Sequence, residues 1–240
     1  MTDWHDLRAL TAARIGLERS GASLATRPLL DFRLAHARAR DAVHAPLDES
    51  SLLAALPRPA RTVASQAHDR RAYLMRPDLG RALDPAGAAA LAREAGRFDL
   101  AIVLGDGLSA AAAERHAPPL LDLLLPKLES WSLAPLVIAR HARVALGDRV
   151  AEALGAAAVL MLIGERPGLS APDSLGAYLT WSPGPATVDA DRNCVSNIRP
   201  EGLGYVEAAF RLAFLLDRMR TLRLSGVALK DESDSALLTS

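Results

Sequence analysis

From about residue 98 the rhythm of the chain changes to an apolar run, a turn and a helix pattern, given twice and followed by a third apolar run. "FDLAIVLGDGLS" reads as a strand and a glycine turn, and "SAAAAERHAPPLLDLLLPKLES" as a helix bent around Pro118 and Pro119. "APLVIARHARVAL" gives a second strand, and "GDRVAEALG" a helix closed by Gly155. "AAAVLMLIGERPGL" is the third. Such short, continuous apolar runs suit strands covered on both faces, which is the condition of a parallel sheet with crossover helices. The alternation predicts an α/β fold with a mostly parallel, Rossmann-like sheet and helices on both faces. "GAYLTWSPGPATVDADRNCVSNIRPEG" then begins as a fourth strand and becomes a loop, and "YVEAAFRLAFLLDRMRTLRLSG" (205–226) is a long helix burying Phe210, Phe214, Leu215 and Met219.

Residues 1–95 read differently, as a helical N-terminal region with loops. "PLLDFRLAHARARDAV" (28–43) sets Leu29, Leu30, Leu34, Ala37 and Val43 near one face, with Pro28 suited to the first turn. Pro46, Pro57 and Pro59 break the chain after it. "RRAYLMRPDLGR" reads as an exposed, ion-paired loop. "DPAGAAALAREAG" starts with an Asp N-cap and a Pro at the first helical position. The expected organisation is a helical region over 1–95, an α/β domain over 96–230 and a polar tail over 231–240.

Composition removes several function classes. Lys+Arg and Asp+Glu both number 28, so nothing in the charge balance favours nucleic acid or an anionic membrane. Cys194 is the only cysteine, so no intrachain disulfide forms. "MTDWHDLRAL" lacks a signal-peptide pattern, and "ALGAAAVLMLIG" is too short to span a bilayer. The expectation is a soluble, intracellular protein. The histidines show no metal-ligand spacing, and there is neither a P-loop nor a readable Ser-His-Asp arrangement.

In an open parallel sheet, ligands bind beyond the carboxyl ends of the strands, where the strand order reverses. Four segments would meet there: "GDGLSA", "RHARV", "GERPGL" and "DADRNCVSN". "GDGLSA" (105–110) has the form of a dinucleotide fingerprint, but the next strand ends in "ARHAR" instead of the acid that would bind ribose hydroxyls. Arg140 or Arg143 would have to serve a 2′-phosphate instead. The plainer reading is a tight turn with Ser109 as N-cap, whose loop amides remain open to another polar group. Glu165 and Arg166 leave the third strand on this same side, ahead of the Pro167-Gly168 turn. Cys194 alone reads as a small buried hydrophobe.

Several strings occur in a telling order: "ARIGLERSG", "YLMRPDLGR" (73–81), "DGLSA" (106–110), "GERPGL" (164–169) and "DADRNCVSNIRPEG" (189–202). Over roughly residues 12–227 the chain resembles the small (light) subunit of ethanolamine ammonia-lyase. The resemblance implies an adenosylcobalamin-dependent radical conversion of ethanolamine to acetaldehyde and ammonia. It implies a large barrel subunit holding the reacting centre, contacted by region 1–95, with this subunit clamping the cobalamin at the interface. It carries the cofactor contacts onto Val144, Glu165 and Cys194, and no catalytic or metal-ligating residue onto this chain. It implies hetero-oligomers of α6β6 type, cytoplasmic and often within a bacterial microcompartment. The family often has a longer segment before the "RIG" motif, where a packaging signal is expected. Two other functions fit the residues: an NAD(P)-binding oxidoreductase using "GDGLSA", and a purely structural subunit.

Overall fold

The computed structural model describes residues 7–8, 10–11 and 13–234. Its centre is a six-stranded sheet. The strands are β3 (Ala60–Ala64), β4 (Phe98–Gly105), β5 (Leu136–Arg140), β6 (Ala156–Gly164), β7 (Leu175–Trp181) and β8 (Arg192–Ile198). A small antiparallel pair, β1 (Arg19–Ser20) and β2 (Ser23–Leu24), stands apart. The order across the large sheet is β3-β5-β4-β6-β7-β8. β3, β5, β4 and β6 pair in parallel, and β7 is antiparallel to both neighbours. Length explains the change of sense. Only residues 165–174 join β6 to β7, too few for the crossover a parallel return needs.

The helices are α1 (Thr26–His44), α2 (Glu49–Ala55), α3 (Arg70–Met75), α4 (Pro85–Ala92), α5 (Ala110–Leu124), α6 (Leu146–Leu154) and α7 (Tyr205–Leu222). Alternating strand residues serve two cores. Leu100, Ile102, Leu104, Leu160 and Leu162 face α5 and α7, meeting Leu120, Leu124, Leu212 and Leu216. Ala101, Val103, Val137, Val159 and Met161 face α4 and α6, meeting Leu91, Leu146, Val150 and Leu154. The expected α/β sheet with helices on both faces is therefore present.

Several local expectations change. Residues 60–64, read as loop, form the β3 edge strand. Its pattern is weak because only Val63 is buried and Arg61 and Thr62 are both exposed. "RNCVSNI", read as loop, is strand β8. "RRAYLM" is helix α3, with the Asp69 carboxylate accepting from Ala72 N–H at 2.7 Å, and Tyr73 is only 1% exposed. Asp84 caps α4 as expected, and Gly155 closes α6 in the left-handed region at φ 73°. Helix α5 runs unbroken through Pro118 and Pro119. In α7, Leu215 and Met219 are buried but Phe210 and Phe214 only partly so, because the buried stripe runs through Ala208, Ala209, Leu212, Leu215, Leu216 and Met219. Helix α1 forms over the predicted span yet buries no residue, and Leu30 and Leu34 are 57% and 51% exposed.

Candidate functional site

The chain runs from β4 through α5 to β5, then through α6 to β6. β5 and β6 lie on opposite sides of β4, and α5 and α6 lie on opposite faces. The order therefore reverses at the carboxyl end of β4, where such sheets open a crevice. A cleft of about 430 Å³ sits there, lined among others by Tyr73, Gly107, Arg143, Val144, Glu165 and Tyr178.

The floor is built by close backbone approach. Gly107 has φ 52°, and a Cβ on it would collide with the Gly164 carbonyl. A Cβ on Gly164 would meet the Ser109 carbonyl in turn. Leu108 N–H donates to Gly164 O at 2.9 Å, and Ser109 N–H to Asp106 O at 3.1 Å. Ser109 stands at the N-cap of α5, but its hydroxyl donates to Pro172 O at 3.2 Å and caps nothing. These loop amides are thus spent inside the protein, and the end of β6 lies against the loop where a pyrophosphate would need room. This geometry disfavours the dinucleotide reading of "GDGLSA".

Asp106, 4% exposed, ties the loops together. Ala142 N–H donates to its Oδ1 at 2.9 Å, and Arg70 Nη1 lies 3.4 Å from its Oδ2. Burial raises its pKa, and the hydrogen bonds from the Ala142 and His141 amides oppose that rise. Arg70 also donates to Gly107 O at 2.7 Å and Val43 O at 2.6 Å. Two guanidinium groups lie over the ring of Tyr73, Arg70 at 4.7 Å and Arg143 at 4.2 Å from its centroid. Burial pushes the Tyr73 hydroxyl up to about 12.

Glu165 is held on three sides. Its N–H donates to Ser174 O at 3.0 Å. Its carboxylate accepts from the Ser196 hydroxyl, and from Asn197 N–H at 3.1 Å. Asn197 has φ 58° at the irregularity between β7 and β8, and asparagine tolerates that region. The Glu165 side chain lies over Gly176, where a Cβ would come within 3.0 Å of Oε1. Its angle is thus set by β7 and β8, while the Pro167-Gly168 turn closes on itself through Gly168 N–H to Ala171 O at 2.8 Å.

Val144 lies in the turn before α6, half-buried, and lines the cleft. Cys194 does not line it. It is exposed on β8, opposite Tyr178 in the ladder, on the part of the sheet face next to the cleft that α6 leaves open. The expectation of a buried cysteine is therefore corrected, because β8 is the edge strand. Desolvation raises the Cys194 thiol pKa, a hydrogen bond from Tyr178 opposes this, and the Glu165 charge adds to the rise. It is a neutral thiol at pH 7 and not an activated nucleophile. Burial likewise raises the Tyr178 hydroxyl.

One buried ion pair connects these pieces. Asp148, in the first turn of α6, binds Arg192 of β8 bidentately at 2.7 Å for each oxygen, and Arg192 Nη1 also donates to Thr180 Oγ1 at 3.0 Å. The pair fastens the strand bearing Cys194 to the helix that follows Val144. Sequence reasoning missed it, along with Tyr73, Asp106 and Tyr178. Asp69 as an N-cap was the available signal for Tyr73 being helical. No local signal pairs residues 148 and 192.

A family model for the ethanolamine ammonia-lyase light chain matches residues 1–230. The chain is 58% identical over 235 residues to the ethanolamine ammonia-lyase small subunit of Bradyrhizobium diazoefficiens, covering 95% of this chain and 90% of that one. It is 52% identical over 244 residues to the small subunit of Azotobacter vinelandii, covering 98% and 90%. It is 51% identical over 240 residues to that of Pseudomonas aeruginosa strain LESB58, covering 96% and 88%.

Proposed function

Since the chain belongs to the ethanolamine ammonia-lyase light-chain family, we propose that it clamps adenosylcobalamin against a large partner subunit in the enzyme that converts ethanolamine to acetaldehyde and ammonia. The observation that carries this reading is the meeting of Val144 and Glu165 in one cleft at the strand-order reversal, with Cys194 on the adjoining open sheet face.

The residues fit the edge of a broad, amide-rimmed macrocycle. The cleft's lining includes the Gly107 and Gly164 backbones, which pack against each other, with Val144, Glu165 and Tyr178 beside them. A carboxylate has about four acceptor sites, and Glu165 spends two on Ser196 and Asn197, which leaves capacity for amide or hydroxyl donors. Val144 and the neutral Cys194 thiol offer small, soft contact surface. When bound, the cofactor supplies a cobalt–carbon bond that breaks homolytically to start a radical reaction. This chain's residues bind and orient; none here acts as acid or base on the substrate. Helix α1 suits contact with the large subunit, since among the described residues none of its side chains is fully buried and it exposes Leu30, Phe32 and Leu34.

The test is co-expression with a large subunit. The complex should release acetaldehyde from ethanolamine only when cobalamin is added, and this chain alone should release none. An assembled complex inactive on ethanolamine would remove the substrate assignment. Glu165→Ala should weaken cobalamin binding by about tenfold while leaving the complex assembled, because a hydrogen bond to a charged group is worth about 1.5–3 kcal/mol. Unchanged affinity would end the direct role of Glu165.

A further inference from the structure

We propose that Arg143 and Arg166 form an anion-binding subsite at the rim of the cleft, and that it takes the phosphodiester of the cofactor's nucleotide tail. The inference rests on the cofactor reading above and adds a second polar anchor to it.

The two arginines are unlike the other cations nearby. Arg166 is exposed and makes no ion pair or side-chain hydrogen bond among the described residues. Its adjacent carboxylate, Glu165, is committed to Ser196 and Asn197. Arg143 is held in place without being neutralised. Its Nη2 donates to Tyr73 O at 3.1 Å, its guanidinium lies on the Tyr73 ring, and its Nε is buried without a partner. By contrast Arg70 meets Asp106, and Arg40 meets Asp41 at 3.4 Å.

Both arginines line two adjoining hollows, the cleft and a groove of about 430 Å³ that runs under α1 past Val43 and Leu169. Among the described residues, Glu165 is the one acidic residue lining either hollow. The chain carries equal numbers of basic and acidic residues, so this local excess is a feature of the site and not of overall basicity. Two arginine forks, one of them rigidly stacked, suit a group with two non-bridging anionic oxygens. A cobalamin presents one such group. Its peripheral side chains are neutral amides, and its fixed negative charge is the tail phosphodiester. Glu165 would take the amides and the arginine pair the anion.

Three corrinoid probes separate the alternatives on the assembled complex with the large subunit: cyanocobalamin, cobinamide phosphate and cobinamide. Binding is read by visible absorbance after ultrafiltration, independently of turnover. Arg166→Ala should weaken cyanocobalamin and cobinamide phosphate by about tenfold and leave cobinamide within about twofold. Arg166→Lys should recover part of the loss, and the salt dependence of cyanocobalamin binding should flatten in Arg166→Ala. Arg143→Met, checked for assembly, should repeat the pattern.

Equal loss for all three probes, or no loss, overturns the subsite. Loss confined to cyanocobalamin would mean that Arg166 meets the ribose or base and not the phosphate. Unchanged binding with weakened assembly would assign Arg166 to a carboxylate of the large subunit. A wild-type complex that binds none of the probes would overturn the cofactor reading itself, and the subsite with it.

Discussion

Glu165 and Arg166 are neighbours with opposite environments. Position alone marks both, since each leaves a buried strand on the ligand side of the sheet. The family resemblance singles out Glu165 alone, and the structure adds the physical difference: two groups on β8 hold Glu165, while Arg166 is left without a partner among the described residues. Residue identity was similarly insufficient for Asp148 and Arg192. Their side chains are 4% and 3% exposed, and each is the other's main compensation. Asp148→Ala should therefore cost about 3–5 kcal/mol, because it strands a buried guanidinium. Urea unfolding of the purified chain measures this. The double variant Asp148→Leu/Arg192→Met should recover much of the loss, and a double variant as unstable as the single would contradict the argument.

At the scale of elements, the loop between β6 and β7 is tethered to α5. His116, 2% exposed, bridges Tyr205 Oη at 2.8 Å through Nδ1 and Asp173 O at 2.7 Å through Nε2. Arg115 binds the Asp173 carboxylate beside it. Desolvation lowers the His116 pKa from its ordinary 6.5, against the raising effect of Asp173. The unfolded chain therefore binds more protons than the folded one between 6.5 and the lower folded value. Stability should fall as pH drops below about 6.5, and this component should level off once pH is under the folded value. Denaturant midpoints across that range, compared with His116→Gln, isolate the contribution; parallel curves for the two proteins would refute it. The elements themselves were largely legible. β4, β5 and β6 carry continuous apolar runs, and Asp84 and Gly155 mark helix ends as capping chemistry requires. β3 and β8 were not legible, because edge strands bury one face or less and their apolar signal is diluted by Arg61, Thr62, Asn193 and Ser196.

For the whole molecule, α1 stands out as a 19-residue helix with no buried residue. Its fastening to the rest includes the Arg70 bond to Val43 O. Its amides should exchange with deuterium faster than those of β4 and β6 in the isolated chain, and become protected when the large subunit binds. Equal protection of α1 and the central strands without a partner would contradict this. Periodicity predicted the helix but also a buried apolar stripe, and burial depends on what else is present to cover it. The sequence by itself determined the α/β class, the central strands and the gathering of the turns after β4, β5 and β6 at one sheet edge, since these follow from local apolar patterns and capping residues; the fourth expected segment, "DADRNCVSN", is instead largely strand β8. Its unusual strings also carried the family, which the comparisons bear out. The tertiary structure alone decided that the sheet turns antiparallel at β7, that Cys194 is exposed, that Asp148 meets Arg192, and that Tyr73 and Arg143 meet at the cleft. Each of these is a contact or exposure set by packing between segments distant in sequence, and a local pattern carries no record of the far partner.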